Sequence, residues 1–424
     1  MGADDRKQMS FSWEAVKGTV TPPPSKSHTH RAFLLSSLSS RTCDVTNALN
    51  SYDTAATLNA VKAMGTDVKR MCGKVRITGG ELHAPAGIVD ADNSGTTMRL
   101  FTGIASMFDS PVTITGDASL RTRPMGPLLD ALTEMGVRCT SADGKAPLTV
   151  HGPNMGGNVN VRGDVSSQFI SSLMMVAPML PNDTNILIKG DISSRPYVDI
   201  TASMMSRFGA HIAFGDNKIT VTGGTGYGGC NIRVPADLSS AAFPLTAGAL
   251  GGSVTVKGID MDDPQGDKRI IDILKVAGAD VSVKGNEVSV SSGPLNGSDV
   301  NMKDIPDLFP IVAVLLSTAK GRSVLHGAPQ LKFKESDRIE STVNMLKALG
   351  ADIEGTDDGC VINGVRRLNG GTIDHREDHR ILMASVVASL VCENEVSMVR
   401  SRCYDVSYPL FLEQMKKLGM NAEV

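Results

Sequence analysis

Apolar residues recur at helical spacing in six segments that each close on a glycine and give way to a short run of β-branched residues. The segments are TLNAVKAMG ending at Gly65, LLDALTEMG at Gly136, DITASMMSRFG at Gly209, RIIDILKVAG at Gly278, STVNMLKALG at Gly350 and FLEQMKKLG at Gly419. A glycine directly after an amphipathic helix marks the position where the backbone turns left-handed and a Cβ is costly. These glycines are 71, 73, 69, 72 and 69 residues apart, so the chain reads as six copies of one unit of about 70 residues. A second series of helices runs in phase with the first, beginning near Ser27, Ser94, Ser167, Ser239, Asp307 and Asp378. Its members are small or apolar most of the way round, the pattern of a helix buried on every side. Runs such as VTIT, NILIKG, SVTVKG and VSVS lie between the helices and predict strands. The fold class is therefore α/β, or α+β if the strands segregate, with the six units grouped three and three. The boundary falls between Gly209 and the fourth buried helix. Residues 24–235 are expected to form one domain, and residues 236–424 with 1–23 the other, the β-like stretch Gly18 to Val20 joining the second half.

Composition narrows the partners. The 424 residues carry Lys+Arg 42 against Asp+Glu 45, a formal charge of −3, so no broad basic face holds nucleic acid by counterion release. Apolar stretches such as Ile311 to Leu316 are too short to span a membrane, and the start MGADDRKQMS has no apolar core of a signal peptide. The seven cysteines show no C-x-x-C pair and read as reduced thiols of a cytoplasmic protein.

Six equivalent helix starts separate structural polarity from chemistry. Capping needs one Ser, Asp or Asn, and the fourth copy, DLSSAAF, shows that minimum. Other copies carry far more: Lys26, Ser27 and Arg31 in the first, Asn93, Ser94, Gly95, Thr96 and Arg99 in the second, Ser166, Ser167 and Gln168 in the third. Asp307 opens the fifth, and Asp378, His379 and Arg380 open the sixth. Capping does not call for Arg, Lys, Gln or His, and unpaired buried charge is costly. Several helix N-termini are therefore expected to converge on a small anionic ligand, where free N–H groups, macrodipole and cations act together. Three more segments join this set: Arg121 and Arg123 before Pro124, read as the first turn of the next helix; Ser194, Arg195 and Tyr197; and Lys332, Lys334, Glu335, Asp337 and Arg338, with Asp337 and Glu340 fitting an acidic capping box. Asp307 and Glu335, set among these cations, are candidates for general base and acid.

The strings PSKSHTHR, DNSGTTMRL, SLRTRP, SSQF, SRPY, DIPDLFP, KESDRI and DHRILMA, in this order over nearly the whole chain, resemble the 5-enolpyruvylshikimate-3-phosphate synthase (3-phosphoshikimate 1-carboxyvinyltransferase) family. The resemblance implies a two-domain inside-out α/β barrel, three units per domain, with the active site in the interdomain cleft. It implies a monomeric enzyme of the shikimate pathway and aromatic amino acid biosynthesis that joins phosphoenolpyruvate to the 5-hydroxyl of shikimate 3-phosphate, through a tetrahedral adduct that loses phosphate. No metal or organic cofactor is implied. By position, Lys26, Ser27, Arg31, Ser166, Ser167, Gln168, Ser194, Tyr197, Asp307 and Lys334 would hold shikimate 3-phosphate, with Gln330 where the family often has Asn. Lys26, Gly95, Arg123, Gln168, Arg338, His379 and Arg380 would hold phosphoenolpyruvate. Asp307 would take the hydroxyl proton, and Glu335 with Lys26 would help protonate the methylene carbon.

Two positions depart from the family pattern. Val406 stands where the family has a lysine ligand of phosphoenolpyruvate, and Leu100 follows Arg99 where many members have proline. The latter bears on the closeness of approach at Gly95 and on the response to the inhibitor glyphosate. A UDP-N-acetylglucosamine enolpyruvyl transferase is the alternative within the fold, but the segment GDASLRTRP lacks that family's cysteine and Ser27, not Asn, follows Lys26. For a metal-dependent hydrolase, His375 and His379 have i, i+4 spacing without H-E-x-x-H, and His28 and His30 read as solvated or supporting. The acidic loop Asp260, Asp262, Asp263 and Asp267 reads as a plain turn around Pro264 and Gly266. A catalytically dead repeat scaffold is disfavoured by the retention of Asp307, Glu335, Lys26 and the arginines.

Overall fold

The computed structural model describes residues 8–423; residues 1–7, the beginning of the expected 1–23 segment, and residue 424 lie outside it. In chain order its α-helices are α1 (Lys26–Ser37), α2 (Tyr52–Ala63), α3 (Gly95–Ala105), α4 (Gly126–Glu134), α5 (Ser167–Val176), α6 (Pro196–Arg207), α7 (Leu238–Gly251), α8 (Ile270–Ala277), α9 (Phe309–Ser317), α10 (Arg338–Ala348), α11 (His379–Ala388) and α12 (Phe411–Lys417). The odd-numbered helices are the buried series, and every residue of α9 and α11 is shielded from solvent. The even-numbered helices are the amphipathic series. All six glycines that follow them have positive φ, from 85° at Gly136 to 107° at Gly419. At Gly419 a Cβ would also lie 1.9 Å from the Ala15 carbonyl oxygen. Gly419→Ala is therefore expected to cost about 1–3 kcal/mol, read as a lower denaturant midpoint.

Each repeat builds one four-stranded sheet, and six such sheets are described. In the second repeat, Val89–Asp90 runs parallel to Val112–Thr115, which pairs antiparallel with Lys145–His151, and Arg138–Ala142 closes the edge. Two strands are exchanged relative to chain order. Val16–Val20 lies parallel to Gly252–Lys257, with Val20 opposite Val256, while Ile232–Arg233 lies parallel to Thr42–Thr46, with Ile232 opposite Val45. Gln8–Trp13 completes the sixth sheet between Val396–Val399 and Met420–Glu423. The strand at Gly18 to Val20 thus joins the second half.

The contacts divide the chain into two compact units, Pro24–Pro235 and Ala236–Val424 with the N-terminal segment up to Pro23. Each holds three sheets and its own apolar core. In the first, Phe33, Phe101 and Phe169 of α1, α3 and α5 are at most 1% exposed. In the second, α7, α9 and α11 pack on one another, and Phe243 meets Phe411 edge-on at 5.9 Å. Helices fill the inside of each unit because both faces of the odd-numbered ones are apolar, whereas the strands alternate buried and exposed positions and cover only one side. In each unit the odd-numbered helices are neighbours, so polar groups at their N-termini are brought together.

Some local expectations change. Pro124 lies before α4, whose first turn holds Pro127, because a 3₁₀ turn at Leu120–Thr122 intervenes. Asp307 sits in a 3₁₀ turn, Pro306–Leu308, ahead of α9. Only half of the capping box forms at α10: Asp337 accepts from Glu340 N, while the Glu340 carboxylate faces Asn344.

Candidate active site

In the unit from Ala236 onward, the starts of α9, α10 and α11 assemble one ion cluster around Asp307. Arg338 Nη1 donates to Asp307 Oδ1 at 2.9 Å, Lys334 Nζ lies 3.4 Å from the same oxygen, and Arg380 Nη2 donates to Oδ2 at 3.2 Å. Arg380 also donates to the Asp307 backbone carbonyl at 3.3 Å. Arg338, the first residue of α10, is 1% exposed and bridges three carboxylates. Its Nε donates to Asp378 Oδ2 at 2.9 Å, its Nη2 to Asp378 Oδ1 at 3.2 Å, and Nη2 also meets Glu335. Asp378 in turn caps α11 through Arg380 N at 2.9 Å and accepts from Ser336. His379 Nδ1 lies 3.9 Å from Asp378. Burial would push the Asp307 carboxyl up, but Arg380, Lys334 and Arg338 together overcome it and hold the group well below the usual carboxylate range. Burial lowers Lys334, with Asp307 opposing it. Gln330 donates to the Lys303 carbonyl at 3.1 Å, while its buried Oε1 has no hydrogen-bond partner among the described residues.

The unit Pro24–Pro235 holds the remaining expected residues, at the starts of α1, α3, α5 and α6 and, for Arg123, directly after the 3₁₀ turn ahead of α4. Lys26 pairs with Asp53 at 3.0 Å. Gln168 accepts from Arg99 at 2.8 Å and donates to Thr96 at 3.0 Å, joining the mouths of α5 and α3. Gly95 lies against Arg123: a Cβ there would be 2.9 Å from Arg123 Nη1, which is why the approach needs glycine. Arg123 is 5% exposed and donates to Asn93 at 3.1 Å. Arg31 is 1% exposed and donates to Thr201, the Ser27 and Tyr197 carbonyls and Ser171, so most of its donors position the two segments rather than face solvent. Ser166 caps α5, Ser167 is buried in its first turn, and Ser194 holds φ at 59° before α6.

Other expectations are revised. Arg195 points to the surface, pairing with Asp199 at 3.0 Å and lying over Phe214. His28 and His30 are not solvated: both are buried, with Nδ1 bonded to Ser25 and Thr57 respectively, and burial holds His30 well below its ordinary value. His375 and His379 do not share a helix face, since His375 precedes α11. His375 Nδ1 accepts from Glu377 N and Nε2 faces the Val399 carbonyl, so both nitrogens are engaged with the backbone. Val406 is half-buried in a 3₁₀ turn.

Sequence reasoning missed what three carboxylates bind. Asp53, in the first turn of α2, neutralises Lys26. Asp378 was visible beside Arg380, but its hold on Arg338 joins positions 40 apart. Asp267, read as part of a plain turn, is 5% exposed and accepts a hydrogen bond from Ser239 in the first turn of α7. Polarity at the fourth helix start is therefore not minimal. The QGD run after an acidic loop was the available signal.

Two units of three β/α repeats, each with a cluster of cations and carboxylates at buried helix starts, define an α/β protein built to meet small, multiply charged anions. A family model described as EPSP synthase (3-phosphoshikimate 1-carboxyvinyltransferase) matches residues 12–415. The chain belongs to the EPSP synthase family. It is 47% identical over 415 residues to a protein of Methanocorpusculum labreanum named 3-phosphoshikimate 1-carboxyvinyltransferase, covering 97% of this chain and 98% of the relative. A protein of the same name from Methanocaldococcus jannaschii is 39% identical over 97% of this chain and 98% of its own length. Among solved structures, the EPSP synthase of Acinetobacter baumannii superposes with a TM-score of 0.83 at 29% identity, covering 98% of this chain and 100% of that one. These matches do not favour the UDP-N-acetylglucosamine transferase or metal-hydrolase alternatives.

Proposed function

We propose that the chain transfers the enolpyruvyl group of phosphoenolpyruvate to the 5-hydroxyl of shikimate 3-phosphate with release of phosphate, in aromatic amino acid biosynthesis. The observation that carries the mechanism is the placement of Asp307 among Arg338, Lys334 and Arg380. Asp307 accepts the proton as the hydroxyl oxygen bonds to the enol carbon, and Glu335 with Lys26 delivers a proton to the methylene carbon. Loss of a methyl proton and departure of phosphate from the tetrahedral adduct then restore the enol ether. Without substrate the three cations make Asp307 a weak base. Substrate phosphate and carboxylate groups compete for those cations, which raises its basicity when the hydroxyl arrives.

Shikimate 3-phosphate is assigned to Lys26, Ser27, Arg31, Ser166, Ser167, Gln168, Ser194, Tyr197, Asp307, Gln330 and Lys334. The unpartnered Gln330 Oε1 suits a ring hydroxyl. Phosphoenolpyruvate is assigned to Lys26, Gly95, Arg123, Gln168, Arg338, His379 and Arg380. Each set includes residues of both units. We read the protein as a cytosolic monomer, as the family resemblance implies; among the described residues the cysteines are free thiols and no helix is long and apolar enough to cross a membrane.

Mixing the purified protein with both substrates is expected to release phosphate, and omitting either is expected to release none. Lys334→Gln should raise the KM for shikimate 3-phosphate by about 10–100-fold, the worth of a charge-assisted hydrogen bond, and that for phosphoenolpyruvate by much less. Equal effects on the two KM values would reject the assignment of Lys334.

A further inference from the structure

Asp267 has no part in the mechanism above, yet it is buried beside it. It lies in a 3₁₀ turn, Gly266–Arg269, between the strand Gly252–Lys257 and α8, and is held against the start of α7. Ser239 donates to its Oδ2. Gln265, two residues earlier, ties the same turn to α7 by accepting from Leu238 N at 2.9 Å and donating to the Ala236 carbonyl at 2.9 Å. The charged groups facing Asp267 are Asp307 from the turn before α9, Arg380 from α11 and Asp237 from the cap of α7. Burial pushes its carboxyl up to about 7; Asp307 and Asp237 add to this, while Ser239 and Arg380 oppose it.

The surroundings explain why this carboxyl is placed there. Arg380 is shared: it bonds Asp307 directly, and its positive charge also favours an ionised Asp267. An anion that engages Arg380 takes that support away and adds negative charge nearby, and both effects favour the neutral acid. We infer that Asp267 is a positioning residue that takes up a proton as phosphoenolpyruvate engages Arg380, so that the anion enters without a second buried negative charge beside Asp307. The inference rests on the proposed assignment of phosphoenolpyruvate to Arg380.

The test is the KM for phosphoenolpyruvate from pH 7 to 9 at saturating shikimate 3-phosphate. Phosphate esters lose their second proton near pH 6, so both substrates stay fully ionised across this window. In the wild type the KM is expected to rise by about fivefold or more as Asp267 ionises. In Asp267→Asn, whose amide stays neutral, it should stay flat. Ser239→Ala removes a bond that favours the ionised form, so the rise should move to higher pH. A flat wild-type profile, the same rise in Asp267→Asn, or no displacement in Ser239→Ala overturns the inference.

Thermal unfolding gives a readout independent of turnover. The ordinary Asp value is 3.8 and the folded value about 7, so the unfolded chain ionises first. The burden of Asp267 on stability therefore grows between these values and levels off above. The gain in melting temperature from Asp267→Asn should be larger at pH 7.5 than at pH 4.5, and an equal gain counts against the buried acid. Arg380→Ala examines the underlying assignment separately. It should raise the KM for phosphoenolpyruvate by about tenfold or more at every pH, and a wild-type KM rejects that assignment whatever Asp267 does.

Discussion

Asp307→Ala is expected to lower kcat for phosphate release by about 10²–10⁴-fold, the usual contribution of a positioned general base. The fold should survive, because the side chain lies at a helix mouth and its cationic partners have other acceptors: Arg338 keeps Asp378 and Glu335, and Arg380 keeps the backbone carbonyl of residue 307. The pH profile adds a sharper check. Three cations hold the Asp307 carboxyl well below the ordinary range against the effect of burial. A base must be unprotonated to act, so the acid-side fall of kcat/KM that belongs to Asp307 lies below the ordinary carboxylate range. Lys334→Gln removes one of those cations and should move that limb to higher pH. A kcat within tenfold of wild type in Asp307→Ala would remove Asp307 from the proton transfer.

Arg338→Ala is expected to have the largest effect on folding, about 3–5 kcal/mol, because breaking a buried ion pair leaves an uncompensated charge. Asp378 is fully buried, and Arg338 supplies its only side-chain cation within 3.5 Å among the described residues. The loss should appear as a lower denaturant midpoint of the unit from Ala236 onward. Arg338→Lys should recover part of it, since an ammonium keeps the charge but not the fork that reaches Asp378, Asp307 and Glu335 together. Arg402→Ala, by contrast, removes an exposed guanidinium from its pair with half-buried Asp405 and should change stability little. A midpoint shift in Arg338→Ala no larger than that in Arg402→Ala would show that the buried network contributes little to folding.

Much of the architecture was legible before any coordinates. The phased glycines and the two helix series have local causes: a C′ residue with positive φ, and apolar spacing at 3.6 residues. Both are written residue by residue and repeat at a fixed interval. The cations at the helix starts stood out because six equivalent positions could be compared with one another. Pairing was not legible. Nothing in the string KESDRI shows that Arg338 reaches Asp378, or that Arg195 in SSRPY turns to the surface while Arg31 is enclosed.

The amino-acid sequence by itself determined the repeat, the buried and amphipathic helix series, the strand that joins the second half and the family to which the chain belongs. These depend on periodicity and on residue types within one or two turns. Only the tertiary structure decided which carboxylate neutralises which cation: Asp53 for Lys26, Asp378 for Arg338, and Asp307 for Arg380. It alone brought Asp267 to Ser239 and made a turn residue part of a charged site. The physical reason is that a charge buried at a helix mouth takes its energy from partners and solvent exclusion, and both arise from packing between segments far apart in the chain.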